Sequence, residues 1–163
     1  MSKFFNSPTV GIDVSADFSF VAILAPNGDV FKKPFRIKHD VSGFNHLLKE
    51  IKKVEEEFNM KTAIFMESTG VYHLSLFHFL NKNFDNTFVI NPLVTKCNKN
   101  VDIRKVKNDK KDALSIAQIG KFQNIKLSQS VSMDIFQLKS LVREYYKLTD
   151  NCSTYKKKLS TDL

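Results

Sequence analysis

This sequence predicts an α/β fold, a mixed five-stranded sheet flanked by helices, with one long helix at the C-terminal end. Three observations predict it. Runs of β-branched and aromatic residues alternate with amphipathic helical segments, in the order β-β-β-α-β-α-β-α. An Asn-Gly pair joins two of those runs. The last segment changes to a heptad pattern. A length of 163 residues suits one domain with an appendage. The expected division is a domain over residues 1–128 and a helical, coiled-coil-like linker over 129–163.

The first strand lies in Thr9-Val10-Gly11-Ile12-Asp13-Val14-Ser15, a β-branched run with a carboxylate in its middle. An unpaired ion is costly in an apolar core, so Asp13 must face solvent or a positive partner. Phe18 to Ala25 is the second strand. Pro26-Asn27-Gly28-Asp29 turns the chain, and Val30 to Ile37 returns it. Asp40 or Ser42 can cap the first helix, in which Phe44, Leu47, Leu48, Ile51, Val54 and Phe58 recur at helical spacing. Thr62 to Met66, ending in Glu67, is a fourth strand, expected parallel to the first. Ser68-Thr69-Gly70 makes a turn and cap before a helix over Tyr72–Asn81. Thr87 to Ile90 is the fifth strand, stopped by Asn91-Pro92. Lys96 to Lys107 is basic and poorly periodic. Asp109 to Phe122 is helical, with Ala113, Leu114, Ile116, Ala117 and Ile119 on an apolar side. Leu138, Leu141, Tyr145, Leu148, Cys152, Tyr155 and Leu159 then alternate steps of three and four, a seam fit for a partner helix.

Composition excludes several classes. No apolar run approaches the length of a membrane span, and the N-terminus has no basic segment leading into an apolar block. Cys97 and Cys152 are isolated, which argues against a disulfide framework and for a reducing, cytoplasmic setting. The four histidines lack H-E-x-x-H spacing, and no G-x-S-x-G elbow is present.

Four acids stand out by position: Asp13 on the first strand, Glu67 at the end of the fourth, and Asp109 and Asp112 at the start of a helix. Residues three apart share a helix face, so the last two can aim at one place. If the first and fourth strands are neighbours, Asp13 and Glu67 meet at one end of the sheet. Each acid alone has a structural explanation, such as the preference of carboxylates for a helix's first turn. As a set with no nearby His or Cys, they suit a hard cation, Mg²⁺ or Mn²⁺. Two such ions can serve phosphoryl transfer.

The net charge is +8, from 25 Lys and Arg against 17 Asp and Glu. Lys96, Lys99, Arg104, Lys105, Lys107, Lys110 and Lys111 gather around the second pair of acids. A charge run is often only a solvated face. Beside metal-binding acids it suits a phosphate backbone.

Gly11-Ile12-Asp13-Val14-Ser15, Met66-Glu67-Ser68-Thr69-Gly70-Val71-Tyr72 and Lys107-Asn108-Asp109-Lys110-Lys111-Asp112-Ala113 together resemble the DEDD insertion-sequence transposases. Their N-terminal domain is similar to the Holliday-junction resolvase RuvC, of the RNase H-like fold. The resemblance covers nearly the whole chain and extends to the helical linker through Leu141-Val142-Arg143. It departs at Asn108, where Thr is usual. The resemblance implies a DNA transposase or recombinase using Mg²⁺ and a structured guide RNA. Asp13, Glu67, Asp109 and Asp112 match the catalytic tetrad. Family members also carry a C-terminal domain that supplies a serine, so the chain is expected to stop short of that domain and to be incomplete for transposition. Homo-oligomerisation through the C-terminal helix is expected as well.

Other readings compete. A stand-alone RuvC-type resolvase or nuclease needs the same tetrad. A proofreading exonuclease pairs two acids at alternate positions in its first motif, where this chain has Ser15. An actin-like or sugar-kinase ATP-binding domain also opens on Gly-Ile-Asp, but needs glycine-rich phosphate loops, and this chain has five scattered glycines and no Walker motif. A binding or dimerisation module with a decayed site is the non-enzymatic alternative.

Overall fold

The computed structural model describes residues 2–67, 72–99, 108–125 and 133–161. Its elements are β1 (Thr9–Val14), β2 (Phe18–Leu24), β3 (Val30–Lys38), α1 (Val41–Phe58), β4 (Ala63–Glu67), α2 (His73–Asn83), β5 (Thr87–Ile90), α3 (Pro92–Lys99), α4 (Asp109–Phe122) and α5 (Met133–Thr161). The chain divides into two units, Met1–Gln129 and Ser130–Leu163. The expected turn over 68–70 lies outside the described residues.

The sheet order is β3-β2-β1-β4-β5. β2 runs antiparallel to β1 and β3, while β4 is parallel to β1 and β5 to β4. The β1–β4 pair is parallel, as expected, because the intervening α1 carries the chain back across the sheet. At the β2–β3 turn Gly28 has φ +94°, and Ala25 N–H donates to Asp29 O at 2.8 Å. The glycine adopts the positive φ that the Asn-Gly pair signals.

Alternation along the strands builds two cores, one on each face. Val10, Ile12, Val14, Ile64 and Met66 face Leu47, Ile51 and Val54 of α1 and Leu76, Phe77 and Leu80 of α2. Each fully buried aliphatic chain contributes about 2 kcal/mol. The opposite face, with Ala63, Phe65, Phe88 and Ile90, packs on Phe4 and on Ile116 and Ile119 of α4. The result is three layers, with β1 and β4 covered on both sides.

Local signals set the helix ends. Asp40, rather than Ser42, caps α1, its Oδ1 accepting from Gly43 N–H at 2.6 Å. Asn59 ends the helix in the left-handed region at φ 48°, its N–H donating to Glu55 O. Glu50, buried on α1, accepts from Lys32 Nζ of β3 at 2.6 Å and from Lys53 Nζ at 3.0 Å, fastening the helix to the edge strand. The Lys32 ammonium holds the Glu50 carboxyl below its ordinary value.

The structure corrects the reading of the basic stretch, because its first part is helical. α3 begins on the Asn91-Pro92 pair, which is expected only to stop β5. Asn91 Oδ1 accepts from Leu93 N–H at 2.9 Å. Pro92 occupies the first helical position, where its missing N–H costs nothing. Lys96 and Lys99 fall on this helix.

α5 forms its own unit. Along it Leu138, Leu141, Tyr145, Leu148 and Tyr155 are exposed at the seam positions. No helix among the described residues is long and apolar enough to cross a membrane.

Candidate metal centre

Asp13 sits near the C-terminal end of β1. Ile12 and Met66 face each other across the β1–β4 pair. The next residue on each strand is acidic, Asp13 on β1 and Glu67 on β4. Both share parity with Gly11 and Phe65, so both lie on the face that α4 covers. Neither carboxylate enters the apolar core formed with α1 and α2, which resolves how a buried strand tolerates charge.

α4 reaches that face because two glycines let it. A Cβ on Gly11 would stand 2.2 Å from Ala113 O and 2.3 Å from Ala117 N, both backbone atoms. A Cβ on Gly120 would stand 2.3 Å from the Phe65 ring. The helix backbone therefore lies directly against β1, and its own small residues Ala113 and Ala117 complete the approach. Its N-terminus is fixed by Asn108, whose side chain accepts from Lys110 N–H at 3.1 Å and whose carbonyl accepts from Asp112 N–H at 3.0 Å. Asparagine thus fills the cap role that threonine would serve.

These contacts deliver Asp109 and Asp112, on the first turn of α4, to Asp13. One carboxylate oxygen from each of the three lies within 4.8 Å of the others, and all three side chains are half-buried. Like charges this close need a counter-charge. The positive end of the α4 dipole supplies part of it. A divalent cation suits the remainder, and an all-oxygen donor set favours a hard ion. The three carboxylates fit a hard divalent cation.

Glu67 stands outside that trio. Its Oε2 accepts from Thr95 Oγ1 at 2.8 Å, and Thr95, on α3, is buried. Thr95 is not among the residues that the sequence singles out. The available signal was Asn91-Pro92: read as a cap and first turn, it places Thr95 in a helix rather than in a loop.

The basic residues divide. Lys110 and Lys111 are exposed on the first turn of α4, beside the acids. Lys96 and Lys99 belong to α3, and their side chains lie outside the described residues. Arg104, Lys105 and Lys107 also lie outside them. A hollow of about 660 Å³ is at the other end of the sheet, lined by Pro26, Val30, Phe31, Phe58 and Met60. It holds no cluster of acids and is not the candidate centre.

A family model for the DEDD transposases of the IS110 type, described as transposase, matches residues 10–163. The chain belongs to the IS110-type DEDD transposases. That match spans Asp13, Glu67, Asp109 and Asp112 and extends through α5. Solved structures of similar fold include RuvC of Thermus thermophilus in complex with a Holliday junction substrate, at 13% identity and TM-score 0.48. That comparison covers 74% of this chain and 99% of the other. Another structure of Thermus thermophilus RuvC gives TM-score 0.46 at the same identity and coverage. Pelota of Archaeoglobus fulgidus gives TM-score 0.39 at 13% identity, over 88% of this chain and 37% of the other. No curated protein matches the chain. The IS110-type transposase presents a mixed five-stranded sheet with three carboxylates gathered at one end.

Proposed function

We propose that this chain is the metal-binding catalytic domain of a DNA transposase, with Asp13, Glu67, Asp109 and Asp112 as its catalytic and metal-ligating residues. The observation that carries the reading is the convergence of Asp13 with Asp109 and Asp112 from two elements far apart in sequence. Asp13, Asp109 and Asp112 would hold Mg²⁺ or Mn²⁺. Glu67, one strand away on the same face, would complete a set for two ions. When bound, such ions activate a nucleophile and stabilise a leaving oxygen on phosphorus. The protein's own contribution is placement. β1 and β4 fix two carboxylates on one face, and the capped first turn of α4 brings two more with partial positive charge behind them.

The substrate in this reading is DNA, assisted by a guide RNA. Lys110 and Lys111 flank the acids, and Lys96, Lys99, Arg104, Lys105 and Lys107 would extend the cationic surface along the phosphate backbone. Residues 1–128 are the catalytic domain. Residues 129–163 are a helical arm whose exposed apolar seam pairs with a second copy.

The test is Mn²⁺-dependent thermal stabilisation. The wild-type chain should melt higher as Mn²⁺ is added, while Asp13→Asn and Glu67→Gln should lose most of the shift. An unchanged shift in both variants would support a decayed site.

A further inference from the structure

We propose that Phe18, Phe20 and Arg36 form a shelf that stacks an unpaired nucleobase beside Asp13. The inference rests on the reading that this centre acts on nucleic acid, and it adds a site on strands that the basic cluster does not include.

The register places the shelf. Phe20 is the direct cross-strand partner of Asp13, and Arg36 and Lys38 of β3 are the partners of Phe20 and Phe18. Opposed residues in an antiparallel pair share a face and stand about 5 Å apart. All four therefore lie on the face of the Asp13 carboxylate, running outward from it across β2 to the edge strand. The Phe18 and Phe20 rings meet edge to face with centroids 5.8 Å apart. The Arg36 guanidinium lies over the Phe18 ring, 4.0 Å from its centroid.

These rings do not serve the core. Farther along the same face of β2, Ala22 and Leu24 are fully buried. Phe18 and Phe20 remain half-exposed and pack against neither apolar cluster. Large aromatic surface next to a charged centre is costly to leave wet unless something covers it. The cations identify what covers it. Arg36 and Lys38 are exposed and make no ion pair among the described residues. A flat π surface, a guanidinium plane and an unpaired ammonium suit a base and its phosphate.

The strand behind the shelf is braced. His39 Nδ1 lies 3.1 Å from Ala16 O, which can only accept, so Nδ1 carries the proton. Its Nε2 then accepts from Ser19 Oγ at 2.7 Å. Ser19 lies between the two phenylalanines in sequence and faces the other side. This pair ties the end of β3 to the β1–β2 turn, so the rings need little ordering on binding.

The experiment uses single-stranded DNA and RNA oligonucleotides of one sequence carrying 2-aminopurine, whose emission falls on stacking. The chain lacks Trp, so the signal is clean. Wild type should bind and quench the probe. The Phe18→Leu/Phe20→Leu double variant keeps apolar volume and should lose roughly tenfold or more in single-strand affinity, together with the quench. Arg36→Gln, an exposed change, should weaken binding without moving the melting temperature, and Phe20→Tyr should retain the quench. Tighter binding of the DNA probe assigns the shelf to substrate, and tighter binding of the RNA probe assigns it to a guide. Wild-type affinity and quench in the double variant, or no quench in wild type, overturns the shelf. Mn²⁺ stabilisation measured on the same proteins tests the metal reading separately: quenching by a chain that does not bind Mn²⁺ would sink that reading and leave the shelf standing.

Discussion

Thr95 donates its hydroxyl hydrogen to Glu67 Oε2 across 2.8 Å, linking the first helix after β5 to the end of β4. The same hydroxyl oxygen is 2.9 Å from Pro92 O. A carboxylate with one oxygen held this way has fewer rotamers, and its other oxygen is left for a ligand. Thr95 is in that sense a positioning residue for Glu67. Thr95→Val removes the donor at nearly constant volume. Mn²⁺ affinity should fall roughly tenfold or more, with the melting temperature little changed, and Thr95→Ser should restore it.

The contact of α4 with β1 depends on the missing side chain at Gly11. Gly11→Ala places a methyl against Ala113 O and Ala117 N, backbone atoms that cannot rotate away. Overpacking of this kind costs about 1–3 kcal/mol. The relief available is for α4 to lift, carrying Asp109 and Asp112 from Asp13. Urea denaturation should show the loss of stability, and Mn²⁺ titration of the folded variant should show weakened binding. A variant that binds Mn²⁺ like wild type would separate α4 packing from the centre.

Glu50 links pH to the α1–β3 contact. Lys32 lowers its carboxyl below the ordinary 4.5, so the unfolded chain binds its proton more readily than the folded one. The stabilisation is complete above about pH 4.5 and is lost as pH falls through the lower folded value. Glu50→Gln should cost about 1 kcal/mol at neutral pH, since both lysines reach solvent, and should flatten the acid limb of the stability curve.

Lys121 gives a slope of the same sign at alkaline pH. It is almost completely buried on α4, its Nζ donating to Ser7 O at 2.8 Å. Burial pushes its ammonium below the ordinary 10.5. Between the folded value and 10.5 the unfolded chain holds the proton and the folded chain does not, so stability should rise with pH there. Lys121→Met should remove that rise, as read from melting temperatures across the alkaline range.

Much of this molecule is legible in its residues, for identifiable reasons. The strand alternation and the heptad seam are periodic, and periodicity survives without coordinates. Asp13 stood out because a charge in a β-branched run conflicts with burial, and its parity with Gly11 settles where the charge goes. Asp109 and Asp112 were legible because three residues is less than one helical turn. What escaped has no periodic signature. α3 begins on a proline pair that equally well marks a stop, and its partner Glu67 is 28 residues away from Thr95. The Phe18–Phe20 shelf was invisible for another reason: exposed and buried phenylalanines read alike until the register shows which ones α4 leaves uncovered.

The central claim is that Asp13, Asp109 and Asp112 form one cation site. Anomalous diffraction from crystals soaked in Mn²⁺ tests it most directly. A Mn²⁺ peak among those three carboxylates, with Glu67 beside it, is expected in wild type and not in Asp13→Asn. Saturating Mn²⁺ with no peak there, or the same peak persisting in Asp13→Asn, would contradict it.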